Sequence, residues 1–252
     1  MMIPMFKIIQ LTDCHLLADR RLQLQGCDTY ARLEKVLRHA RQHHPDVRLL
    51  LLTGDLSEDG SDGSYLQLQR LIGTVNVPAA ALPGNHDEPS RMRTLLDPKV
   101  IACPRHLELD DWQVLLLDST VPGKTEGLLS ATELEWLRRR LAERSEPALI
   151  ALHHPPTPVG SPWMDRVGLK NPGELLAILT AAPHVKAVVS GHAHQVSFAA
   201  YDGFACYGTP STWRQYKPGA LSHAADILPP AYRVLDLFPG GRLTTHVEFV
   251  SG

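Results

Sequence analysis

The sequence predicts an α/β fold, with parallel strands joined by crossover helices in one domain. Short apolar runs each stop at a polar cluster, amphipathic helical patterns lie between them, and 252 residues with 44% hydrophobic side chains suit one large core. The apolar runs are 7–12, 48–53, 75–82, 114–118, 148–152 and 185–190. Their near-continuous apolar character is the pattern of strands buried on both faces. Over 28–42 a helical period places Tyr30, Leu33, Val36, Leu37 and Ala40 on one face. A second helix over 130–144 opens with Ser130 and Glu133, a capping box ahead of Leu134, Leu137 and Leu141. Beyond His194 the pieces shorten to 204–207, 232–238 and 243–250, the last two joined by Pro239-Gly240-Gly241. These predict a β-rich, antiparallel tail over 195–252 that completes the same domain, 1–252.

Composition narrows the function. A formal net charge of −2 with scattered Lys and Arg lacks the electrostatic footprint of a nucleic-acid binder. The start, Met1 to Lys7, has neither the apolar stretch nor the cleavage site of a leader, and no apolar run is long enough to span a bilayer. A soluble cytoplasmic protein that binds no membrane is expected. Cys14, Cys27, Cys103 and Cys206 are dispersed with no CxxC pair, which suits reduced thiols.

The polar clusters at the strand ends carry the chemistry: Asp13-Cys14-His15, Gly54-Asp55, Gly84-Asn85-His86-Asp87, His153-His154-Pro155-Pro156 and Gly191-His192-Ala193-His194. In a parallel sheet these ends converge on one edge, where open α/β sheets place ligands. If the chain stays extended there, side chains two apart share a face. Asp13 then meets His15, His192 meets His194, and Cys14 turns away to pack as a small hydrophobe. The adjacent Asn85 and His86 diverge, one free to hold an ion and the other to address what the ion binds. Spacing leaves open whether His153 or His154 is the ligand. Mixed Asp, Asn and His donors without thiolate suit Mn²⁺, Fe²⁺/Fe³⁺ or Zn²⁺ rather than Ca²⁺. Two Asp and four or five His exceed the needs of one catalytic ion and fit a dinuclear centre roughly 3.5–4 Å across.

Alone, DCH, GD and PGN are ordinary turn chemistry, whereas GHAH is a stronger signal because two small residues and two imidazoles finish a core strand poorly; together, their order and common position at strand ends are not ordinary. The other histidines have blander readings. His39, His43 and His44 close a helix, where imidazole suits the dipole, and His106, His184, His223 and His246 have no partner pattern. Trp163 and Trp213, in loop-like stretches, are candidate walls of a base pocket.

The ordered series DCH, GD, GNHD, HHPP and GHAH resembles the calcineurin-like metallophosphoesterase superfamily. That resemblance implies a four-layer α/β/β/α sandwich, which periodicity alone does not give. Within it the chain is similar to the bacterial CpdA-type (class III) cyclic AMP phosphodiesterases, on Trp163-Met164-Asp165, Asn171-Pro172-Gly173-Glu174-Leu175, Thr209-Pro210-Ser211-Thr212 through Lys217-Pro218, and Gly241-Arg242-Leu243-Thr244-Thr245. The resemblance implies one ion on Asp13, His15, Asp55 and His194 and a second on Asp55, Asn85, His153 and His192, with Asp55 bridging. It favours His153 as the ligand and leaves His154 as a supporting or substrate-facing residue. The implied cofactors are two divalent ions, Fe²⁺/Fe³⁺ or Mn²⁺, with Zn²⁺ also suited. The implied reaction is hydrolysis of 3′,5′-cyclic AMP to 5′-AMP by a metal-bridging hydroxide.

The substrate would meet His15, Asp55, Asn85, His86 and His194. His86 is the expected catalytic residue at the departing 3′-oxygen, and Asp87 is expected to orient His86 or an imidazole ligand. Two cations bring about +4 and Asp13, Asp55 and hydroxide about −3, leaving roughly +1 for a phosphodiester that a carboxylate at position 85 would cancel. The competing expectations are another phosphoesterase specificity, for glycerophosphodiesters, nucleotide-sugar pyrophosphates or phosphoesters broadly, and a non-catalytic binding scaffold.

Overall fold

A computed structural model describes residues 6–251; residues 1–5, most of the stretch read for a leader, lie outside it. In chain order the elements are β1 Phe6–Leu11, α1 Thr29–His43, β2 Leu49–Thr53, α2 Asp62–Gly73, β3 Ala79–Leu82, α3 Pro89–Leu95, β4 Ile101–Ala102, β5 His106–Leu109 and β6 Trp112–Leu117. They continue with α4 Ala131–Glu143, β7 Ala148–Leu152, α5 Pro162–Asp165, α6 Pro172–Thr180, β8 Val185–Ser190, β9 Ser197–Ala200, β10 Ala205–Gly208, β11 Ala231–Leu237 and β12 Leu243–Phe249. Two six-stranded sheets result, ordered β12-β11-β1-β2-β3-β4 and β5-β6-β7-β8-β10-β9. β1 to β4 are parallel, as are β6, β7, β8 and β10. Antiparallel strands close the margins: β11 and β12 beside β1, β5 beside β6, and β9 beside β10.

The side-chain period of two sorts each central strand between two cores. Ile9, Leu11, Leu50 and Leu52 face α1 and α2, packing on Leu33, Val36, Leu37, Tyr65 and Leu68. Leu115, Leu117, Ile150 and Leu152 face α4 and α6 through Leu134, Leu137, Leu175 and Ile178. The alternate residues Ile8, Leu49, Leu51 and Leu82 of one sheet meet Val114, Leu116, Leu149 and Ala151 of the other. Three cores between four layers give the α/β/β/α sandwich that the resemblance implies.

The differences from the sequence reading are local. The run at 75–82 becomes strand only at Ala79, because the Val75 amide donates to Ile72 in the turn that ends α2. Ser130 caps α4 by accepting from the Glu133 amide at 3.1 Å. The reciprocal half of the capping box is missing, since the Glu133 carboxylate accepts instead from the Asp118 amide and Arg105. The tail is not purely antiparallel, since β10 runs parallel to β8. It also splits, sending β9 and β10 to one sheet and β11 and β12 to the other. Buried Arg233 on β11 ties those halves, donating to Thr209 at 2.9 Å and to the Gly208 carbonyl at 2.9 Å.

Leu51 is fully buried between the sheets. Leu51→Ala should lower unfolding stability by about 2–5 kcal/mol through lost burial and a residual cavity. Urea denaturation checks this, with a shift below about 0.5 kcal/mol contradicting the inter-sheet placement.

Candidate metal centre and active site

β1, β2 and β8 stop one or two residues short of the polar clusters, and the chain then turns sharply. Eight non-glycine residues among those described have positive φ, and five of them are Asp13 (53°), His15 (47°), Asp55 (49°), His192 (65°) and His194 (49°). Such backbone is costly for residues with a Cβ and persists where surrounding contacts enforce it, as at functional sites. The assumption of extended chain at these positions is therefore wrong, and one consequence changes. Asp13 and His15 do share a cluster, together with His194. His192 departs from His194 and packs on His153, ring centroids 5.1 Å apart.

All seven expected ligands gather at the carboxyl ends of the strands. The His194 Nε2 lies 3.2 Å from Asp13 Oδ1 and 3.3 Å from the His15 Nε2. Asp55 stands in the middle, with Oδ2 3.7 Å from the His15 Nε2 and Oδ1 3.4 Å from the His153 Nε2. Asn85 Oδ1 is 3.2 Å from that same His153 nitrogen. Each imidazole uses its other nitrogen to fix the ring: His15 Nδ1 on the Glu58 carboxylate (2.7 Å), His153 Nδ1 on the Thr53 carbonyl (2.9 Å), His194 Nδ1 on the Arg214 carbonyl (2.7 Å) and His192 Nε2 on the Val167 carbonyl (3.1 Å). In the neutral rings, donation to those acceptors leaves lone pairs on the inward nitrogens. Two such nitrogens facing each other at 3.3 Å, His15 and His194, need a cation or proton between them. The donor set thus fits a two-ion metal site flanking Asp55.

Electrostatics agree. Burial alone would raise Asp13 and Asp55, but His194 beside the first and His153 beside the second hold both carboxyls below the usual range. Burial would lower His153, yet Asp55 and Asp13 raise it to about 9. Burial and the neighbouring His154 and His153 keep His192 well below the ordinary range.

Asn85 and His86 divide as expected, though in a turn rather than an extended chain. Asn85 faces the cluster, whereas His86 stands at the rim with its side chain 38% exposed, edge-on to His15 at 4.9 Å. Its Nδ1 donates to the Glu58 carbonyl at 2.9 Å, leaving Nε2 for solvent or substrate. Asp87 does not orient His86 or any ligand imidazole. Its carboxylate accepts from the amides of Leu56, Ser57 and Gly84 and from the Tyr65 hydroxyl, so it braces the backbone around Asp55. His154 is fully buried, with Nε2 on the Thr125 carbonyl and Nδ1 on Ser119, so neither nitrogen is left for substrate or metal. Burial pushes it down to about 3.

Four contributors escape a motif reading. Glu58 touches His15 through its carboxylate and His86 through its carbonyl, and its nearness to Asp55 is the one available signal. From the tail, the Ser211 hydroxyl donates to the Asp13 carbonyl at 2.7 Å, Arg214 holds His194, and Tyr216 stacks on the His194 ring at 4.3 Å. Trp213 is buried, its ring 5.0 Å from that of His15. Trp163 meets Tyr216 and His223 edge-on. Cys14 is buried in the helix-side core as expected.

Two outcomes follow. Because His153 at about 9 is protonated near neutrality, cation binding must displace its proton. Affinity should rise about tenfold per pH unit for one displaced proton up to about pH 9; calorimetry in buffers of unlike ionisation enthalpy reads the release, and zero release contradicts the assignment. Glu58→Ala, which frees the His15 ring, should weaken metal affinity by about 10–100-fold, with Glu58→Gln retaining more because it still accepts. Metal titration separates the two.

The family model for calcineurin-like phosphoesterases matches residues 6–196. The chain is 39% identical over 244 residues to the 3′,5′-cyclic adenosine monophosphate phosphodiesterase CpdA of Escherichia coli (strain K12), covering 96% of this chain and 89% of that protein. It is 36% identical to the protein of the same name in Pseudomonas aeruginosa (96% and 89%) and 38% identical to a 3′,5′-cyclic-nucleotide phosphodiesterase of Nostoc sp. (96% and 92%). Among solved structures, a dimetal phosphatase from Danio rerio aligns with a TM-score of 0.73 at 14% identity, over 98% of this chain and 99% of that one, which supports the fold. The chain belongs to the calcineurin-like phosphoesterase family, in its bacterial CpdA-type group.

Proposed function

We propose that this protein hydrolyses 3′,5′-cyclic AMP to 5′-AMP. The observation that supports this most is the convergence of Asp13, His15, Asp55, Asn85, His153, His192 and His194 at the adjoining carboxyl-terminal edges of the two sheets, with His86 at the rim, in a chain 39% identical to a cyclic AMP phosphodiesterase. Asp13, His15, Asp55 and His194 would hold one divalent ion, and Asp55, Asn85, His153 and His192 the other. Iron or manganese suits these oxygen and imidazole donors, with Zn²⁺ a further match. Such ions supply Lewis acidity toward the phosphoryl oxygens and lower the pKa of water to near neutrality.

The chain's own residues do the rest. Asn85 offers an amide oxygen where a carboxylate would weaken attraction for the phosphodiester anion. His86, held through Nδ1 by the Glu58 carbonyl, presents Nε2 at the open rim, where it can give a proton to the departing 3′-oxygen. Burial lowers the His86 pKa, but Asp55 and the Glu58 carbonyl outweigh that and raise it above the ordinary value, which favours the proton-donating form near neutrality. His15, Asp55, Asn85 and His194 line the floor against which the phosphate would lie. The partner is thus a small cyclic nucleotide rather than a nucleic acid, in keeping with the net charge of −2. No helix among the described residues is long and apolar enough to cross a membrane, and the four cysteines are unpaired, which supports a cytoplasmic setting.

His86→Ala should retain both ions and lower turnover by about 10²–10⁴-fold, whereas Asn85→Ala should lower occupancy at one position. Elemental analysis with an assay of cyclic AMP, cyclic GMP, glycerophosphodiesters and aryl monophosphates checks both. Metal loss in His86→Ala would overturn the division of labour. Orthophosphate release from monoesters at a comparable rate would point to a broad phosphoesterase instead.

A further inference from the structure

A second cluster of ligand-type side chains lies where α1 meets β11 and β12, and none of its members belongs to the catalytic cluster. Tyr232 and Val234 of β11 point into the helix-side core, and their cross-strand partners are Glu248 and His246. Cross-strand partners share a face, so His246 and Glu248, two apart on β12, stand toward α1. His44, which caps the carboxyl end of α1, reaches them. Its Nε2 is 2.8 Å from Glu248 Oε1, and the His246 Nε2 is 3.2 Å from that same oxygen. The three candidate ligand atoms lie within 4.8 Å of one another.

We propose that His44, His246 and Glu248 bind a divalent transition-metal ion, Zn²⁺ being the best match, which ties α1 to the edge strand β12. Donors at about 2.0–2.2 Å around a tetrahedral ion stand about 3.3–3.5 Å apart. The separations of 2.8 and 3.2 Å reach that by opening about 0.1–0.7 Å, and the two imidazole donors, within 4.8 Å of each other, come to the same span by a comparable adjustment. Orientation is already provided. The Tyr232 hydroxyl donates to Glu248 Oε2 at 2.6 Å, and the His39 Nδ1 lies 3.0 Å from that hydroxyl, which fixes the carboxylate and leaves Oε1 toward both imidazoles. Each donor sits on a regular element or its cap, so little ordering is needed on binding. The His246 side chain is 54% exposed, so the site is open to an incoming ion and to water as fourth ligand.

The test uses the full chain, stripped of metal and titrated with Zn²⁺ alone. Wild type should bind one more equivalent than His246→Ala, and Glu248→Gln should show the same loss. After the catalytic positions are filled, further Zn²⁺ should raise the melting temperature of wild type but not of His246→Ala. Activity of His246→Ala should match wild type, because that residue touches nothing at the catalytic edge. Equal Zn²⁺ stoichiometry in wild type and His246→Ala, each checked as folded by circular dichroism, would overturn the proposal and leave the cluster as an ion-paired network.

Discussion

The two sheets approach each other at their carboxyl-terminal edges more closely than side chains with a Cβ would allow. A methyl group at Gly191 would lie 2.0 Å from the Thr12 hydroxyl, and one at Gly54 would lie 2.5 Å from the His153 Nδ1. With hydrogen alone at these positions, His153 from one sheet can donate to the Thr53 carbonyl of the other, and the His192 amide can donate to Asp13. Below the contact, Gln10 bonds Thr53, the Ser190 carbonyl and Thr209, so polar groups at the seam are satisfied rather than stranded. The left-handed residues of the cluster depend on this approach. Asp13, Asp55, His192 and His194 are held by partners from the opposite sheet or the tail, and His15 by the Asp55 carbonyl and the Glu58 carboxylate, which is what keeps a strained backbone in place.

Much of the architecture was legible in the residues. Runs such as Leu49–Thr53 and Ala148–Leu152 are apolar at every position, and their buried, parallel character follows directly. What covers each face was not legible, because Leu51 and Leu52 read identically whether they meet a sheet or a helix. The pairing of the tail was hidden for a similar reason: Ala205–Gly208 is short and has no turn chemistry that could fix its direction against β8. Which residues gather at the candidate metal cluster was legible from strand ends and residue types, except that the choice of His153 over His154 came only with the family resemblance. The backbone that assembles it was not, since nothing in Asp13-Cys14-His15 announces positive φ. Long-range supports were equally silent. His246 had no partner pattern because its partners include His44, some 200 residues away in sequence.

The pair Asn85 and His86 shows how adjacent residues acquire different environments. Asn85 is turned toward buried His153, and His86 toward solvent, by a turn that Asp87 clamps from three amides. Glu58 links the two halves of the chemistry. Its carboxylate addresses a candidate ligand, His15, and its carbonyl addresses His86, so the loop after Asp55 sets the floor and the rim together.

The position of β11 carries a consequence for biosynthesis. β1, which leads into Asp13 and His15, pairs with β2 on one side and β11 on the other. A ribosome makes Asp13 and His15 long before it makes Ser211, Arg214 and β11. Until that segment emerges, β1 has an open edge, the Asp13 carbonyl lacks the Ser211 hydroxyl, and the His194 ring lacks the Arg214 carbonyl. Residues 6–196 hold all seven candidate ligands and define the family match. The contacts from Ser211 and Arg214 that complete the surroundings of these candidate ligands are made only after translation has passed beyond them.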